Sequence, residues 1–374
     1  MAHYFLFPEK DSTIYSNPLR KTLNTGIDEI LTISDEDYFG RKYPSRALLQ
    51  FKTSEIVDVI NNKTNGNTYT ASLKLYETEH TDLSVNQYLE VYPVAESWVN
   101  GTGRYQNRPP TSDGVSWDYK TDSITATAWT ISGYGTGITG SWSASAGGGG
   151  SWYTGSNMGV SKTYGYGDDL DLSFDVTTPV TKFYSASQFS STYPNGIANN
   201  GFILKRSASQ EFNTIDDGTL NYFSLDTHTI YPPYLDIAWD DSSYITGSGT
   251  VLTSGDLYMT LRNNKQEYRV EEEIKFKLNV RPLYPTRRFV TSSNYLDVNY
   301  FTSESYYSLI DYATEEAIVP FDSNTKLSAN AEGMYFSLYM NGLEPERYYK
   351  LLFKHINNDG TTIFDKDYHF KIVK

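Results

Sequence analysis

The chain has 374 residues, a formal net charge of −14 and no cysteine. Disulfides and thiolate metal sites are therefore excluded. Nucleic acid is not an expected partner, because no cluster of Lys and Arg is present to displace its counterions. Hydrophobic residues at 39% against 20% charged residues suffice for packed cores, and the length fits two domains.

Aromatic residues make up 15% of the chain, with 33 Tyr and 18 Phe. These side chains pack well on a pleated, half-buried surface and so favour strands. Met1–Lys10 has no cationic region followed by an apolar stretch, so no signal peptide is expected. No apolar run approaches the length of a membrane span. Synthesis in a cytoplasm without membrane insertion is the expectation.

Strand patterns begin with Ala47–Phe51 and continue at Leu73–Tyr76, Leu89–Val94, Phe202–Lys205 and Leu235–Trp239. The clearest alternation is Asp169–Val176. There Leu170, Leu172, Phe174 and Val176 share one face, and Asp169, Asp171, Ser173 and Asp175 share the other. Two short helices are predicted. Ser54–Asn61 carries Ile56, Val59 and Ile60 on one stripe, and Thr178–Phe189 starts with Thr178 as N-cap and Pro179 at the first helical position. Many short strands with few helices indicate a sandwich or jelly-roll.

Residues 131–167 form a Gly/Trp-rich insert with four consecutive glycines, Gly147 to Gly150. An exposed indole is costly unless something covers it. Trp129, Trp142, Trp152 and Tyr153 are therefore candidates for contact with a partner, the plain alternative being a mobile loop.

The order of segments over residues 1–245 resembles the DNRLRE family of β-sandwich modules, which is related to carbohydrate-binding modules. The matching pieces are DSTIY (Asp11–Tyr15), RALLQF (Arg46–Phe51) followed by Ile56, ASLKLY (Ala71–Tyr76), VYPVAESW (Val91–Trp98) and QNRP (Gln106–Pro109). FDVT (Phe174–Thr177), NGFILK (Asn200–Lys205) and PYLDIAW (Pro233–Trp239) complete the series. The resemblance implies a sandwich and a sugar-binding ancestry. The insert stands where that family has a compact segment.

Asp240–Ser254 reads as a linker, which places the second domain at 250–374. Strand alternation resumes there. Ile274, Phe276, Leu278 and Val280 lie on one face, as do Met334, Phe336, Leu338 and Met340, and then Tyr368, Phe370 and Ile372. About seven strands in this length fit an immunoglobulin-like sandwich. Leu343, Pro345 and Tyr349 have the Leu-x-Pro-x-x-x-Tyr spacing of the tyrosine corner in fibronectin-type sandwiches. Asn279–Ser292, Ala317–Leu327 and Tyr335–Lys350 resemble C-terminal regions of virion structural proteins from large contractile-tailed phages. That resemblance implies assembly into a particle.

Chemistry-bearing motifs are sparse. His3, His80, His228, His355 and His369 form no paired metal motif, and no nucleophile elbow, phosphate loop or dinucleotide fingerprint occurs in a suitable context. Hard cations take oxygen ligands, so Asp35–Glu36–Asp37 and Asp168–Asp169–Asp171 are weighed as calcium sites. Neither has the Asp-x-Asp-x-Asp-Gly pattern, and solvated surface charge is the preferred reading. No cofactor and no catalytic residue is expected.

The sequence thus predicts an all-β chain, with a jelly-roll or β-sandwich N-terminal domain and an immunoglobulin- or fibronectin-like C-terminal sandwich. The expected role is that of a tailed-phage virion structural protein, present in multiple copies and acting through contacts with other virion proteins. The alternative is a carbohydrate-binding adsorption module whose partners are host surface glycans. A polysaccharide-degrading enzyme is the least favoured reading.

Overall fold

The computed structural model describes residues 3–129, 148–154, 156–165, 167–187, 196–211, 213–286 and 297–374, and the backbone of 138–139. The chain is 46% strand and 10% helix, an all-β protein built as sandwiches. Its contacts divide it into two compact units. One is Leu6–Asn65 with Thr70–Asp236; the other is Met1–Phe5 and Gly66–Tyr69 with Ile237–Lys374. The division falls inside the strand Tyr234–Trp239.

The larger unit is organised around the strand Arg41–Phe51. It pairs antiparallel with Pro8–Tyr15, with Ile30–Tyr38 and with Phe202–Arg206. The sheet continues from Phe202–Arg206 to Asn86–Pro93 and Val160–Gly165, and from Ile30–Tyr38 to Thr219–Phe223 and Glu77–Thr81. Leu172–Asp175 pairs antiparallel with Tyr69–Leu75. The alternation in Asp169–Val176 does what its period demands: Leu170, Leu172, Phe174 and Val176 are buried, while Asp169 and Asp175 are exposed.

Both predicted helices form close to their expected positions. The first is α-helical over Thr53–Asp58 and widens to a π turn over Val59–Lys63, burying Ile56, Val59 and Ile60. The second spans Thr177–Ser187, beginning one residue before the expected cap. Just ahead of it, the Asp175 carboxylate accepts the Thr177 N–H at 3.0 Å, one of the donors the first helical turn leaves unpaired.

The smaller unit is a two-sheet sandwich. One sheet runs Leu257–Arg262, Glu273–Pro282, Gly333–Tyr339, Ser328–Asn330; the other runs Glu267–Arg269, Gly360–Val373, Tyr348–Asn357, Ser305–Asp311, Ala317–Val319. Rings cross between the sheets: Phe336 lies 4.5 Å from Tyr307 and 5.7 Å from Phe353, and Phe276 lies 6.2 Å from Phe370. Glu267–Arg269 pairs parallel with Lys371–Val373. The stretch Asp240–Ser254, expected as a linker, is tied into this unit. Ile245 donates its N–H to Ala329, Leu252 to Tyr300, and the Tyr244 hydroxyl bonds the Phe301 carbonyl.

Candidate functional site

The tryptophans singled out from sequence lie inside the larger unit. Trp129 and Trp152 are 2% and 8% exposed, and they share a core cluster with Ile14, Leu48, Trp98, Val115, Trp117 and Ile203. The Trp129 indole N–H donates to the Ser116 carbonyl at 3.0 Å. What covers these indoles is the chain's own fold. Tyr153 is half-buried, and Trp142 lies outside the described residues.

The described part of the glycine run belongs to the same cluster. Gly149 has φ +80°, and a Cβ there would lie 2.7 Å from Arg46 Nη1 and 2.7 Å from the Trp117 ring. Only glycine permits both the backbone conformation and the close approach. In return Arg46 donates to the Gly149 carbonyl at 2.5 Å and stands over the rings of Trp117 and Trp152, 4.7 and 5.1 Å from their centroids. Glu211 accepts Arg46 Nε and Nη2 at 2.8 and 2.7 Å, with both side chains fully buried. A second buried pair joins Arg206 to Asp35 at 2.5 Å. Burial pushes the Asp35 carboxyl up to about 6, against the opposing pull of Arg206. Asp35 is thus committed to a cation of the chain, and Glu36 is committed to Arg20 at 2.8 Å. Among the described residues no group of three or more His, Asp or Glu could hold a metal ion.

The corner residues lie in the smaller unit. Leu343 and Tyr349 are buried, Pro345 is half-buried, and the Tyr349 hydroxyl donates to the Glu344 carbonyl at 3.0 Å.

A cleft of about 430 Å³ opens in the larger unit; of the residues lining it, Glu36 alone was among the candidate ligands weighed from sequence. That volume is within the range of small-ligand sites, roughly 300–1,000 Å³. Alternate residues of one strand, Ile30, Thr32, Ser34 and Glu36, line it, as do Thr219 and Asn221 of the neighbouring strand and Glu79 beyond. Period-2 geometry puts these side chains on one sheet face. Tyr105 forms a wall, set 5.2 Å from the buried Tyr15 and covered by the Arg20 guanidinium at 4.2 Å.

Some groups in the cleft are spoken for. Thr32 donates its hydroxyl to Asn221 Oδ1 at 2.9 Å, and Asp28 accepts the Tyr105 N–H at 3.0 Å. Burial raises the Asp28 carboxyl above the usual carboxylate range. Others are uncommitted: among the described residues, Asn221 Nδ2 has no partner and exposed Glu79 forms no ion pair. The cleft therefore offers hydrogen-bond donors and acceptors on a rigid sheet beside an aromatic wall. The visible signal in sequence was the half-polar alternation of Ile30–Glu36. Arg20, Tyr105 and Asn221 come from distant segments.

No protein family has a signature matching the chain, and no curated protein matches it. Among solved structures, the apo structure of Bacteroides uniformis beta-glucuronidase 3 is similar at 9% identity with a TM-score of 0.14. That alignment covers 82% of this chain and 28% of the other. A likeness at that score carries no argument about fold or chemistry.

Proposed function

We propose that this protein is a non-catalytic binding component of a tailed-phage particle, and that its cleft takes a saccharide chain. The observation that carries the saccharide reading is the row of hydroxyl, amide and carboxylate groups on one sheet face beside Tyr105. A sugar presents hydroxyls that both donate and accept, and a rigid polar row with an aromatic wall suits it. The phage reading is supported by the resemblance of the three C-terminal stretches.

Two measurements test the two halves. Full-length protein is screened against host surface polysaccharides, beside Arg20→Ala and Asn221→Ala variants of unchanged melting temperature. Binding by the parent chain and its loss in both variants is the expected result; equal binding by all three would remove the cleft from the account. Release of new reducing ends by the parent chain would overturn the non-catalytic reading. Quantitative mass spectrometry of purified particles tests the phage assignment, with multiple copies per particle expected.

A further inference from the structure

We infer that the hairpin tip at Phe39 is a protein-docking anchor, an aromatic side chain that enters an apolar pocket with an acidic rim on a partner protein. Phe39 and Gly40 form the two-residue turn between paired Tyr38 and Arg41. Their φ angles are +52° and +71°. Positive φ at both central positions is the type I′ pattern, in which Asn-Gly is strongly favoured. A bulky side chain in the left-handed region is an outlier, because its Cβ crowds the following carbonyl. Phe39 is also 89% exposed, the most exposed aromatic residue among those described. The fold thus gains from Phe39 neither backbone preference nor burial. Strain kept at an exposed position points to a use outside the fold.

The surroundings indicate the occupant. The Tyr38 ring meets Phe39 edge-on at 4.5 Å and 71°, and Tyr43 follows 6.3 Å from Tyr38. Mutually tilted rings on a convex tip offer no common flat face for a sugar ring, but they fit a concave apolar pocket. Lys42 is held by Asp216 at 3.1 Å, and Asp37 accepts the Gly40 N–H at 3.1 Å. Exposed Arg41, next to the turn, has no ion pair among the described residues. A protein pocket whose rim carries a carboxylate completes both groups. The saccharide reading of the cleft plays no part in this inference.

The test uses the full chain with photoreactive benzoylphenylalanine at position 39, irradiated in the cells that make it, with the same group at exposed Ile124 as control. A discrete adduct with one protein, specific to position 39, is expected. That protein is then purified and titrated with the parent chain and with Phe39→Asn, Phe39→Trp and Arg41→Ala. Phe39→Asn supplies the residue the turn prefers, so its melting temperature should equal or exceed the parent's while affinity falls about 30-fold, the scale of a central hot spot. Phe39→Trp retains binding, and Arg41→Ala weakens it more at low salt than at high. The inference is overturned by no adduct above the control, by an adduct with lipid or with a second copy of this chain, or by unchanged affinity of Phe39→Asn.

Discussion

Tyr348 and Tyr349 are adjacent in sequence and opposite in burial, 51% and 1% exposed. Strand alternation puts one ring in solvent and the other in the sandwich core, where its hydroxyl bonds the Glu344 carbonyl. Tyr349→Phe removes that bond and leaves the half-buried Glu344 without its hydroxyl partner, at a cost of about 1–2 kcal/mol. Tyr348→Phe should change stability by well under half of that. Urea unfolding of the two variants decides it, and equal effects would refute the corner.

Arg46 and Glu211 make a different kind of prediction. Both are fully buried, so removing one partner strands the other's charge away from water. Glu211→Ala should destabilise by about 3–5 kcal/mol, or prevent folding. Replacing both residues by apolar side chains of similar volume should recover part of the loss. A double-mutant cycle in urea measures this, and additive losses would show that the pair is not coupled.

His355 gives the smaller unit a pH dependence. Its ring is buried against Phe301 at 4.3 Å, with Nδ1 2.9 Å from the Ser305 hydroxyl. Burial pushes its pKa down to about 4, below the ordinary value of 6.5. The unfolded chain therefore binds the proton first. The stability held by neutral His355 is complete above the unfolded value and is lost as pH falls from about 6.5 towards 4, by roughly 3 kcal/mol in all. Unfolding free energies at pH 7 and 4.5 should converge in His355→Gln, and a parent chain with no such slope would contradict the burial argument.

Asp11 acts with the opposite sign in the larger unit. Burial raises its carboxyl to about 8, although the Leu225 N–H, at 2.6 Å, favours the charged form. Here the folded chain binds the proton more tightly. Stability falls as pH rises from the ordinary carboxylate range towards 8. Asp11→Asn, which still accepts the Leu225 N–H, should remove that slope and stabilise the protein at pH 8. Thermal melts between pH 5 and 8 provide the check.

Periodicity made the strands legible, because a half-buried strand must write its two faces in alternate residues, as Asp169–Val176 and Gly333–Tyr339 do. The tyrosine corner was legible for a similar reason: its parts lie within seven residues. The tryptophans were not. A sequence shows that an indole needs covering but not what covers it, and here the cover is a core cluster, with Arg46 over Trp152 and meeting the Gly149 carbonyl across 103 residues. The cleft was hidden by the same separation, since Thr32 and Asn221, neighbours on its floor, lie 189 residues apart in the chain. Asp240–Ser254 looked like a linker because polar, glycine-containing stretches read alike whether they hang free or run along a sandwich edge.

The parallel pairing of Glu267–Arg269 with Lys371–Val373 sets an order of events during synthesis. Antiparallel neighbours such as Tyr348–Asn357 and Gly360–Val373 can zip from their own turn as they emerge. Glu267–Arg269 must wait while roughly a hundred further residues leave the ribosome. At about 5–20 residues per second, that leaves its backbone donors and acceptors without their strand for several seconds. Nascent chains crowded on one message would meet in that interval with this edge still open.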